Sequence, residues 1–138
     1  MKRWTLSTLT VVSAAGTLTA WHSCLLQAHH MVGLPVPDLE PTLFAVSIVP
    51  SILFLAAWLI GRRSVGMQSS TAVASVLVAS LRICVIRFEL SRDWTHGTGL
   101  LSGAAWMLGT AGAAIVTMIA VVSVACESVR RRHSPEDL

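Results

Sequence analysis

The chain has 138 residues, 54% of them hydrophobic and only 12% charged, where an ordinary soluble domain carries about a quarter charged. Its formal net charge is +3, but the basic residues fall between long apolar runs instead of gathering in one patch. That distribution argues against nucleic acid as a partner and for a lipid bilayer. Residues 1–138 read as a single membrane domain.

Four apolar runs are visible, Trp4–Trp21, Thr42–Ile60, Val65–Phe88 and Leu100–Ala125. Each approaches the roughly 20 residues needed to cross about 30 Å of hydrocarbon. With their flanks they predict helices over 4–26, 42–60, 66–90 and 99–127, followed by a basic tail over 128–138. The predicted fold class is an all-α integral membrane protein, with four transmembrane helices in an up-down bundle. Lys2 and Arg3 precede the first run, Arg62 and Arg63 separate the second from the third, and Arg130, Arg131 and Arg132 follow the fourth. The other connections, 27–41 and 91–98, hold only Arg92 among them. Positive residues on alternate sides of successive spans place both termini in the cytoplasm of a bacterial-type inner membrane.

The first helix begins like a signal peptide, but Leu18 stands where cleavage prefers a small residue, so it is read as retained. Trp4 and Trp21 are 17 residues apart, which spans about 25 Å of helix and matches two interfacial aromatic belts. The helix is rich in Ser and Thr, whose hydroxyls bond in lipid to their own carbonyls or to a neighbour. His22, His29, His30 and Met31 gather at its outer end. Imidazole and thioether together suit copper, so they form the weak metal-site expectation, although no repeated His-x-His or Met-x-Met array accompanies them.

Pro35, Pro37 and Pro41 break the chain before the second helix. Pro50 lies at that helix's middle beside Ser47 and Ser51, an arrangement that membrane helices tolerate because neighbours satisfy the freed carbonyl. Trp58 then marks an interface just ahead of Gly61-Arg62-Arg63.

The third helix carries Ser80–Trp94, SLRICVIRFELSRDW, in which charge enters an otherwise apolar run. A span from Val65 to Val85 leaves Arg82 about 10 Å outward of the bilayer centre, within reach of the headgroups by snorkelling. A span from Ser70 to Leu90 puts it about 3 Å from the centre, where an arginine costs about 2.5–3.5 kcal/mol and requires a partner. Arg82, Arg87, Glu89, Arg92 and Asp93 together make the candidate charge cluster. The sequence favours an interfacial reading, with Arg82 the exception. Glu89 shares a helix face with Arg92 and Asp93 through its three- and four-residue spacing. It also shares one with Arg82, two turns away.

In the fourth helix Ala105, Gly109, Ala113 and Thr117 recur every four residues, and Gly99 and Gly103 add a GxxxG. Small residues at this spacing let another backbone approach closely. The pattern predicts helix packing without saying whether the partner is in this chain, a second copy or another membrane protein. The three cysteines form no CxxC, no deep histidine pair suits a haem, and no catalytic or phosphate-binding motif is present. No cofactor and no enzymatic activity are therefore expected.

The function read from sequence is that of a non-enzymatic accessory, assembly or structural subunit, partnered through helix 4 by another membrane protein or by itself. The alternative is a small-solute transporter or channel, with anions as one solute class, working through Arg82. Outer-side copper handling and a holin are the remaining readings.

Overall fold

A computed structural model describes residues 2–30, 39–91 and 100–132. Among them are four helices and no strand: α1 (Lys2–His30), α2 (Leu39–Ile60), α3 (Val65–Leu90) and α4 (Leu100–Arg132). Three segments are long and apolar enough to cross a membrane, Trp4–Leu26, Val65–Leu90 and Leu101–Arg132, and α2 adds the shorter apolar stretch Ile48–Ile60.

The helix ends follow local chemistry. α1 continues to His30, beyond the predicted end at 26, because no glycine or proline interrupts it before Gly33. α2 starts at Leu39 rather than 42, with Pro41 in its first turn, where a missing N–H costs no helical hydrogen bond. Between α2 and α3 the chain turns at Gly61. A Cβ there would stand 2.5 Å from Met67 Cγ and 3.1 Å from the Ala57 carbonyl oxygen, so a larger residue would have to displace the Met67 side chain. Ser64 caps α3 by accepting from the Met67 amide. α4 runs five residues past its predicted end at 127. No glycine or proline falls in that stretch, and Glu127 and Arg131 pair one turn apart on its surface.

Packing forms a ring. α1 meets α2 and α3, α4 meets the same two from the other side, α2 and α3 meet more lightly, and among the described residues no close backbone approach joins α1 to α4. Hydrogen bonds cross each of the four contacts around the ring. Trp58 Nε1 donates to Thr8 Oγ1 at 3.0 Å between α2 and α1. Arg82 Nη2 donates to Ser23 Oγ at 3.1 Å between α3 and α1. Thr117 Oγ1 donates to the Leu53 carbonyl at 2.9 Å between α4 and α2, and Glu89 of α3 accepts from amides of α4.

The distribution of side chains is the reverse of a soluble bundle. Among the described residues, seven of the 12 buried hydrophobic ones are alanine, and seven more buried residues are polar or charged. Large apolar groups face outward instead, among them Leu18, Val73, Leu77, Leu108 and Ile115, each more than half exposed. Water would not tolerate so continuous an apolar exterior. Lipid supplies no hydrophobic drive between helices, so small residues and interhelical hydrogen bonds make the contacts. With three helices long enough to span, this marks a membrane protein.

Candidate functional site

The buried face of α3 is a polar seam. Gln68, Thr71, Ser75, Ala79, Arg82, Ile86 and Glu89 are its buried residues, and their spacing of three and four puts them on one side of the helix. Val73, Val76, Leu77, Leu81 and Phe88 occupy the opposite, exposed side. The seam's hydroxyls turn back on their own helix, Thr71 to the Met67 carbonyl and Ser75 to the Ala72 carbonyl. Gln68 Nε2 donates to the Arg62 carbonyl at 3.2 Å, tying the α2–α3 turn to the helix.

Arg82 is the charged centre of the seam. Its side chain is only 5% exposed, directed into the bundle rather than outward along the surface. Ser23, its acceptor on α1, is itself 7% exposed and donates to the Thr19 carbonyl. Gly109 on α4 makes room for Val78 of α3: a Cβ there would lie 2.8 Å from Val78 Cγ1, and at an ordinary contact distance of 3.7 Å from Arg82 Cδ. Beside the guanidinium is a cavity of about 10 Å³ whose polar lining includes Thr19, Ser51 and Ser75. It holds one water at most.

Glu89, two turns on, is equally buried at 5% exposure. Its Oε1 accepts from the backbone amides of Leu101 and Ser102 at 3.0 and 3.1 Å. A carboxylate from one helix thereby caps the first turn of the next, where unpaired amides and the positive end of the helix dipole favour an anion. Its other oxygen, Oε2, is buried with no hydrogen-bond partner.

The remaining sequence expectations fall as follows. Arg87 is exposed, off the seam. Arg92 and Asp93, expected beside Glu89, lie outside the described residues. Ala105, Gly109 and Ala113 are buried, and Thr117 bonds to α2, so the ladder on α4 packs within this chain. Gly103 has open space where a Cβ would be, and Gly99 is outside the described residues. His22 is half-buried with Nδ1 2.9 Å from the Leu18 carbonyl oxygen. The side chains of His29 and His30 and all of Met31 are outside what is described, and no cluster of three metal-ligating side chains occurs among the described residues. Cys84 and Cys126 are exposed and Cys24 is half-buried.

Against protein families, curated proteins and solved structures, the chain matches none. Function therefore rests on the geometry. Sequence reading missed the cap by Glu89, whose only linear trace is a carboxylate shortly before a new apolar run. It weighed Arg82 by depth and left its direction open, although the polar residues at three- and four-residue spacing along α3 signal it.

Proposed function

We propose that the protein is a small non-enzymatic subunit that spans a bacterial-type inner membrane four times, up and down, with both termini in the cytoplasm, and that serves the assembly or stability of a larger membrane complex. The observation that carries this is the arm at the end of α4. The helix is 33 residues long, about 50 Å, against about 30 Å of hydrocarbon. Every residue from 121 to 132 is exposed. Val121 and Val122 stand on this arm about half exposed, with no covering element among the described residues. An apolar helical surface held clear of its own bundle fits a partner helix. The closed interior, with its water-sized cavity, favours cohesion over conduction.

A photo-crosslinking residue at position 122 tests this reading in cells. The expected result is a discrete heavier species that is missing when the same probe stands at Val73, on the outer face of α3. A single band from both positions, together with a lone monomer on mild-detergent purification, would overturn it.

A second reading, a transporter or channel for a small anion, is favoured by the inward polar seam. Arg82 offers a fixed positive charge in the bundle interior. It requires Arg82→Leu to abolish solute flux in proteoliposomes without loss of expression. Unchanged flux, or none in the parent protein, would eliminate it.

A further inference from the structure

The arm of α4 does not close against the turn between α2 and α3. A groove of about 750 Å³ separates them, and none of the roles above uses it. Its three walls share one gradient. Along α2, Leu59 and Ile60 give way to Arg62 and Arg63; along α4, Ala120 and Val124 give way to Glu127 and Arg131. The third wall is the start of α3, where Met67 lies on the bundle side and Ser64 at the rim. The floor is thus apolar and the rim basic.

Charge at the rim is unbalanced. Arg62 and Arg63 are exposed and form no ion pair among the described residues, whereas Arg131 pairs with Glu127. The first turn of α3 also opens here, and the positive end of a helix favours a phosphate. A soluble anion would use the rim and leave the apolar floor in water. A protein segment would have to bury three arginines with one carboxylate to answer them. A diacyl phospholipid with an anionic head matches both parts, because basic pockets between membrane helices recognise such head groups while the acyl chains cover the floor.

We propose that this groove is a binding site for one anionic phospholipid, with its phosphate between Arg62, Arg63 and Arg131 and an acyl chain along Leu59, Met67 and Val124. The site requires only that the chain sits in a bilayer, whichever way it is threaded and whatever it assembles with.

Native mass spectrometry of the delipidated full chain in detergent tests the proposal, with dioleoylphosphatidylglycerol and dioleoylphosphatidylcholine as the added lipids. The parent protein should retain phosphatidylglycerol over phosphatidylcholine by about tenfold. That preference should vanish in the triple variant R62Q/R63Q/R131Q and survive in R130Q/R132Q, which removes charge from the same helix outside the groove. Ser70→Trp keeps every arginine and fills the groove, so it should also abolish retention, which separates occupancy from bulk charge. Equal retention of the two lipids, an equal loss in both arginine variants, or an undiminished preference in Ser70→Trp would overturn the proposal. Displacement of the lipid by millimolar inorganic phosphate would do so too, by showing a phosphate site that needs no acyl chain.

Discussion

Arginine occurs in two regions of this bundle under opposite conditions. Arg82 is enclosed at the meeting of α3, α1 and α4, 5% exposed, with a serine acceptor and a glycine opposite its stem. Arg62, Arg63 and Arg131 stand exposed around an open groove, and the only ion pair there among the described residues joins two surface side chains one turn apart. The side chain is the same, so the surroundings decide its role. In the interior, desolvation makes an arginine costly and forces every neighbour to accommodate it. At the rim, water and mobile ions screen it, and it contributes through long-range attraction instead.

The largest test of this contrast is Arg82→Ala. It should lower the stability of the detergent-solubilised bundle by about 2–4 kcal/mol through the cavity left behind, measured by denaturant unfolding. Arg82→Met fills that space without charge, and replacement of a buried charge by a packed apolar group is commonly neutral or stabilising. Arg82→Met should therefore unfold within about 1 kcal/mol of the parent, or later. A strong destabilisation by Arg82→Met would mean that the charge itself holds the helices together.

Next in size is the glycine pair on α4. Gly109→Leu collides with Val78 and should cost about 1–3 kcal/mol by forcing α3 and α4 apart. Gly103→Leu enters open space and should change stability by less than about 0.5 kcal/mol. Equal effects would place the two glycines in equivalent surroundings and contradict the packing described.

These two residues also show how far the sequence could be read. The four-residue ladder on α4 and the apolar runs were legible, because helix periodicity and bilayer thickness are written directly in the order of residues. Which ladder positions meet a neighbour was not, since that depends on where α2 and α3 lie in three dimensions. For α3, attention to depth obscured direction. The two registers that hydropathy allows leave Arg82 either about 10 Å or about 3 Å from the bilayer centre, whereas the spacing of Gln68, Thr71, Ser75 and Glu89 around it reveals an inward stripe. The Glu89 cap was not legible at all, because its acceptor role exists only once the start of α4 is brought beside the end of α3. The metal expectation at His29, His30 and Met31 falls on side chains outside the described residues.

A smaller effect is expected at that cap. Glu89→Ala removes the acceptor for Leu101 and Ser102 and should cost about 1 kcal/mol. Hydrogen exchange at those two amides should accelerate while exchange at mid-helix amides such as Ala113 stays unchanged. Uniform acceleration along α4 would show a global rather than local role. The smallest effect belongs to the rim: Arg131→Ala breaks the pair with Glu127 and should alter stability by about 0.5 kcal/mol or less, with the remaining difference lost at high salt. A larger change there would erase the contrast between the two arginine environments.

The central claim is that α3 turns Arg82 and Glu89 toward protein and its apolar side toward lipid. Nitroxide labels placed singly at positions 73, 75, 77, 79, 81 and 82 in proteoliposomes test it through collision with oxygen, which concentrates in hydrocarbon. The account predicts high oxygen accessibility at 73, 77 and 81 and low accessibility at 75, 79 and 82. Accessibility at 82 equal to that at 81, or a profile with the opposite phase, would contradict it.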